Sequence, residues 1–186
     1  MLFIMQVYIL KESNSDSRVA ASPDTVKKMK DWGLNVVIQD NAGLNSNFSN
    51  EEYIKSGASI SNEITDISKS DLILKINKPN EDEIALMNEG SVLIASLDPY
   101  NNSDTLNKLK DKGVTSFAME LMPRITRAQS MDILSSQSNL AGYKAVIDAT
   151  YLFNKAMPMM MTAAGTIAPA KVMVFGGWCC RTASYC

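Results

Sequence analysis

The sequence predicts an α/β protein built on a parallel, doubly wound sheet. Three observations predict it. Short apolar runs recur along the chain, helical segments with start and stop signals separate them, and Gly33, Gly57 and Gly113 stand where helices should end. Strands that alternate with helices in this way form a sheet covered on both faces.

Each element has a local reason. Residues 6–10 read as the first strand. Ser22 can cap a helix, Pro23 suits its first turn and Asp24 favours its dipole. Val26, Met29 and Trp32 give that helix an apolar stripe, and Gly33 accepts the positive φ that ends it. Residues 35–39 contain Val36, Val37 and Ile38, an apolar run typical of a buried strand. The cycle repeats with a short helix from Asn50 to near Gly57, a strand over 71–75 and a helix over 80–87. A strand over 91–96, a helix over 103–112 with Leu106 and Leu109 inward, and a strand over 114–119 follow.

The pattern changes after Pro123. From Arg127 to about Asn154 there is no proline and one glycine, Gly142, which predicts one long helix or two end to end. Residues 157–165 read as a loop-like crossing, 170–175 as a new buried strand, and Gly176-Gly177 follows. The expected organisation is therefore a first domain over 1–124, a linking helix and crossover over 125–170, and the start of a second domain over 171–186.

Composition narrows the function. Apolar residues make up 46% and charged residues 20%, ordinary for a globular chain, and a net charge of -2 gives no electrostatic footprint for nucleic acid. No run is long and apolar enough to cross a bilayer. Residues 1–5 lack a cationic segment and a small-residue cleavage site, so no signal peptide is read, and Met5 is a candidate start. All three cysteines lie in the last eight residues, which suits a reducing compartment. Cys179, Cys180 and Cys186 are too few and wrongly spaced for a metal site. The chain has no histidine, which excludes Ser-His-Asp and Cys-His nucleophilic sites.

Two stretches carry chemistry. If a helix starts near Ala128, then Gln129, Asp132 and Ser135 share one face, with Arg124 just before it. A guanidinium, an amide, a carboxylate and a hydroxyl there could hold a carboxamide ring and a ribose. From spacing alone the commoner reading is a polar outer face on which Arg124 and Asp132 merely pair. The second stretch is the strand over 171–175 ending in Gly176-Gly177. A buried strand that ends in glycine is how a dinucleotide-binding fold begins, but only two of the required glycines are present.

Taken together these residues resemble the soluble NAD-binding part of proton-translocating nicotinamide nucleotide transhydrogenase, a family that shares its fold with alanine dehydrogenase. The resemblance rests on Lys11-Glu12, on residues 17–23 (SRVAASP), on Ile73-Leu74-Lys75, and above all on residues 123–143 (PRITRAQSMDILSSQSNLAGY). Residues 162–165 and 169–172 extend it. It implies a flavodoxin-like or Rossmann-like first domain, a linking helix and the first strand of an incomplete second Rossmann domain. It implies that Arg124, Gln129, Asp132 and Ser135 lie around the nicotinamide end of NAD(H), with Gly176 on the phosphate turn. It implies hydride transfer from NADH to NADP+, with NADP on a partner subunit or domain and proton translocation in the full complex. A homodimer, NADP-binding and membrane-spanning partner subunits, and a cytoplasmic location peripheral to the inner membrane are expected on the same ground.

Alanine dehydrogenases use an arginine, a lysine and a histidine on their substrate. Arg18 and Lys75 match the first two, but residues 94–100, where the histidine is expected, have none. Direct transfer between two nicotinamides moves no proton to a side chain, so the missing histidine is compatible with transhydrogenase chemistry and not with the other. The tail departs from the family, which continues with Gly-Val-Ala-Gly-Leu-Gln-Ala-Ile-Ala. One allowed coding string for residues 178–186, TGG TGT TGC AGG ACT GCA AGC TAT TGC, yields that family sequence when its first base is dropped. A frameshift near Gly177 is therefore expected, and with it a truncated subunit inactive alone. The alternatives are a non-catalytic remnant or dimerisation fragment, and an alanine-dehydrogenase-like oxidoreductase.

Overall fold

Most helix starts along the chain are fixed by side chains that take up orphan backbone N–H groups. In a computed structural model describing residues 4–13 and 15–174, the Ser22 hydroxyl accepts from Thr25 N–H ahead of α1 (Pro23–Asp31). Ser49 and Glu52 form a reciprocal capping box at α2 (Asn50–Lys55), and Asn80 and Glu83 form another at α3 (Glu81–Leu86). Helix α4 covers Ser103–Asp111. At the other end of α1, Gly33 adopts φ +83°, which an L side chain would resist.

The helices alternate with six parallel strands: β1 (Gln6–Ile9), β2 (Asn35–Gln39), β3 (Ser59–Ser61), β4 (Leu72–Leu74), β5 (Val92–Ala95) and β6 (Thr115–Ala118). Their order is β3-β2-β1-β4-β5-β6. Tyr8 pairs with Val37 on one side and Ile73 on the other, so β1 lies at the centre. The order reverses between β1 and β4. The fold is thus the expected α/β, Rossmann-like parallel sheet with flanking helices. Strand β3 was not foreseen: Ser59-Ile60-Ser61 is short and polar, and it forms by edge pairing with β2.

Side chains alternate across this sheet. Tyr8 and Leu10 join Ile73, Leu93, Ile84 and Leu109 in one core layer, while Val7 and Ile9 join Val36, Ile38, Val26 and Tyr53 in the other. At the β6 edge cover fails: Phe117, in register with Ile94, is 55% exposed.

The chain divides into two compact units after Met122. In the second, residues Thr126–Met131 form a 3-10 turn, followed by α5 (Ile133–Leu152). Of the two expectations, one long helix or two end to end, the single helix is corrected: Asp132, with φ -76° and ψ 93°, is non-helical, separates the 3-10 turn from α5 and caps the latter. The loop-like crossing is corrected too. Residues Met160–Thr162 (β7) and Gly165–Ile167 (β8) pair as an antiparallel hairpin that turns at Ala163-Ala164, with Gly165 opening β8 at φ +128°. Residues 170–174 form no strand, contrary to expectation, because none of the described strands pairs with them. The expectations for Phe175, Gly176, Gly177 and the cysteine-bearing tail lie outside the described residues. Among the described residues no helix is long and apolar enough to cross a membrane.

Candidate nucleotide-site segment

The polar segment foreseen at 124–135 is organised by a turn rather than by one helical face. Pro123 accepts from Ile125 N–H at 2.9 Å, and Ile125 accepts from Ala128 N–H at 3.0 Å. Ala128 is buried and anchors the turn. Gln129 enters through its carbonyl, which accepts from Asp132 N–H at 3.4 Å. The chain then leaves the turn at Asp132, whose Oδ1 accepts from Ser135 N–H at 3.0 Å and whose Oδ2 accepts from Ser135 Oγ at 2.5 Å.

These contacts set the charge. The Ser135 hydroxyl and then its N–H hold the Asp132 carboxyl below the usual aspartate range, and the positive charge of Arg124 adds to the effect. Asp132 and Ser135 are therefore directly joined, Arg124 is close enough to act on Asp132 electrostatically, and Arg124 and Gln129 are exposed. The spacing i, i+3, i+6 does not place Gln129, Asp132 and Ser135 on a shared α-helical face, because Asp132 stops the turn before α5 begins. An ionised carboxylate retains acceptor capacity beyond the two bonds from Ser135. With the Arg124 guanidinium and the Gln129 amide, it makes a donor and acceptor set suited to a carboxamide and a ribose.

A second polar cluster lies at the carboxyl ends of β1 and β4, where the strand order reverses and open α/β sheets bind ligands. Glu12, buried, accepts from Ile76 N–H at 2.6 Å and from Asn77 N–H and Nδ2 at 3.2 and 2.9 Å. Asn77 Nδ2 also donates to Asp16 at 2.7 Å, and Asp16 pairs with Arg18 at 2.6 Å. The Arg18 guanidinium beside Asp16 holds that carboxyl far below its ordinary value. Lys75 Nζ donates to both oxygens of Glu83 at 2.6 Å. Arg18 and Lys75 thus occur here as members of internal pairs. Sequence reasoning did not single out Asp16, Asn77 or Glu83. The Asn80-x-x-Glu83 spacing signals a capping box, but nothing local signals the Lys75 partner. In the stretch where a histidine would be expected, the N–H groups of Leu97 and Asp98 both donate to Glu120 Oε1.

Fold and site together define an open-sheet α/β protein whose first domain runs into a polar turn and a long capped helix. The chain belongs to the family described as alanine dehydrogenase/PNT, N-terminal domain, which matches residues 8–141. It is 46% identical over 179 residues to an NAD(P) transhydrogenase alpha-subunit chain of Rhodospirillum rubrum, covering 92% of this chain and 47% of that one. The more distant alanine dehydrogenase 1 of Staphylococcus aureus (strain Mu50 / ATCC 700699) is 30% identical over 148 residues, covering 79% of this chain and 39% of that one. Among solved structures, the transhydrogenase from Sinorhizobium meliloti superimposes with a TM-score of 0.85 at 51% identity, covering 89% of this chain and 50% of that one. The chain spans about half the length of the transhydrogenase relatives it matches here.

Proposed function

We propose that this chain is the N-terminal part of the NAD(H)-binding subunit of a proton-translocating transhydrogenase, with residues 123–135 holding the nicotinamide end. The observation that supports this reading most is the paired Asp132 and Ser135 at the start of α5, with Arg124 acting on Asp132, in a chain this similar to transhydrogenase alpha subunits. When bound, the nicotinamide supplies the hydride. The residues present need only fix its ring and exclude misorientation, because hydride passes directly to a second nicotinamide and no side chain takes a proton. The absence of histidine from the sequence fits that requirement. Asp132 and Ser135 would accept from and donate to ribose hydroxyls, while Gln129 and Arg124 would orient the carboxamide. Gly176 would belong to the phosphate turn.

On this reading the first domain extends to about residue 124, and NADP is bound by a partner subunit. The working unit is a homodimer, held near the membrane by membrane-spanning partners. The test is an exchange of residues 6–174 into the Rhodospirillum rubrum relative. The chimaera should bind NADH and reduce an NADP+ analogue in single-turnover measurements with the NADP-binding partner. Within it, Gln129→Ala or Asp132→Ala should slow hydride transfer about tenfold or more while NADH affinity changes less. A folded chimaera that does not bind NADH would sink the proposal. Loss of affinity with an intact single-turnover rate would make these side chains anchors and not aligners.

A further inference from the structure

The end of α5 and the segment after β8 frame a hollow of about 470 Å³ that the proposed hydride chemistry does not use. Its two sides are fastened to each other. Ala170 N–H donates to the Met157 carbonyl at 2.9 Å, and Met160 pairs with Ile167 across the hairpin. Phe153, Ala156, Ile167 and residues 168–170 give it apolar walls. Among the described residues that line it, Lys155 and Lys171 carry the only charges, and none has a carboxylate, amide or hydroxyl side chain. Among the described residues neither ammonium meets a carboxylate, whereas Lys69, Lys75, Lys108 and Lys144 each do. A hollow of about 360 Å³ between the starts of α3 and α4 shows the contrast: there Lys108 pairs with Glu81 at 2.6 Å, and Asp104 lines the wall.

Each part of that lining selects one part of a ligand. Two unmatched ammonium groups favour an anionic head, and the apolar wall beside them reduces the water that would screen the pairing. Aliphatic walls favour an alkyl body, in a volume within the roughly 300–1,000 Å³ range of small-molecule sites. Without amide or hydroxyl side chains, the hollow gives a base or a sugar no side chain that accepts a hydrogen bond. We propose that this hollow binds a single-chain amphiphilic anion, with Lys155 and Lys171 on its head and its alkyl chain against Ile167 and Pro169. The inference does not rest on the nucleotide reading: Arg124, Gln129, Asp132 and Ser135 do not line this hollow.

The test is calorimetric titration of the whole 186-residue chain, without nucleotide, with sodium octanoate below its micelle concentration. Octan-1-ol supplies the same chain without charge, and acetate supplies the head without the chain. Octanoate should bind about tenfold or more tighter than octan-1-ol, and acetate should not bind measurably. Affinity should rise roughly threefold for each methylene added from hexanoate to octanoate. Lys155→Met or Lys171→Met should weaken octanoate about fivefold or more and leave octan-1-ol unchanged, while Lys155→Arg should keep most of the affinity. Ala168→Trp, which fills the hollow, should weaken both ligands. Both lysines are exposed, so unchanged melting temperatures should show that the lysine variants fold. Equal affinity for octanoate and octan-1-ol would overturn the proposal, as would acetate binding as tightly as octanoate. Octanoate binding that survives both Lys→Met variants, or that survives Ala168→Trp, would place the ligand elsewhere and overturn it too.

Discussion

At the scale of single residues, the decisive choice is which atoms a side chain is given to bond. Asp132 is a cap first. Its carboxylate takes up the Ser135 N–H, one of the donors that the first turn of α5 would leave unpaired. Because its partners favour the ionised form, its folded pKa lies below the unfolded one. Its contribution is therefore complete above the ordinary aspartate value of about 4 and is lost as pH falls through the lower folded value. We expect Asp132→Ala to fray residues 133–136 at neutral pH, read as faster amide exchange in the first turn of α5. Asp132→Asn, which keeps an acceptor, should fray it less and lose the acid dependence. Unchanged exchange in both variants would show that the cap does not hold the helix start. Tyr53 is the opposite case. It is fully buried, donates to the Ala21 carbonyl at 2.8 Å, and burial pushes its phenol up to about 12. Burial raises the Tyr8 phenol as well, so spectrophotometric titration should find two tyrosines ionising above pH 10, and the stability tied to Tyr53 should fade between about 10 and its folded value.

At the scale of elements, close approach matters as much as periodicity. A Cβ added at Gly43 would lie 2.6 Å from the Tyr53 ring, inside a core layer that cannot yield easily. Gly43→Ala should cost about 1–3 kcal/mol, measured by urea unfolding. The same substitution in a Tyr53→Phe background should cost less, because one of the two closest atoms is the hydroxyl. Equal costs in both backgrounds would place the strain on the ring itself. Elements with dense apolar runs were legible in the sequence: residues 35–39 are β2 as expected, and Ser22-Pro23 opens α1. Two kinds of element were not. Strand β3 has little apolar signal and exists through its neighbour. The break at Asp132 is a competition between continuing a helix and capping the next one, and side-chain bonding decides it. For the same reason the residues of the candidate site could be listed from sequence, whereas their geometry could not. Lys75 could be singled out, but its partner Glu83 required the fold.

At the scale of the whole molecule, the two units differ in how they hold their apolar groups. The first buries Val7, Ile9, Ile38, Ile73 and Leu93 completely. In the second, Leu140, Tyr143, Ile147 and Tyr151 form an exposed stripe along α5, with Tyr151 86% exposed, and Met161 on the hairpin is 84% exposed. Protection against amide exchange tracks burial and local contact. Deuterium uptake should therefore be slowest in β1, β2 and β4 and fast across residues 160–167 in the chain as it stands. Slow exchange of that hairpin at high dilution would contradict this difference. The central place of β1 also has a consequence for synthesis. Strand β1 precedes both of its neighbours in the chain, and the second of these, β4, ends at Leu74. Until that residue emerges, one edge of the β1–β2 pair offers unpaired amides and carbonyls beside apolar side chains. The nascent chain thus passes through a window, tens of residues long, in which that edge is open to a chaperone.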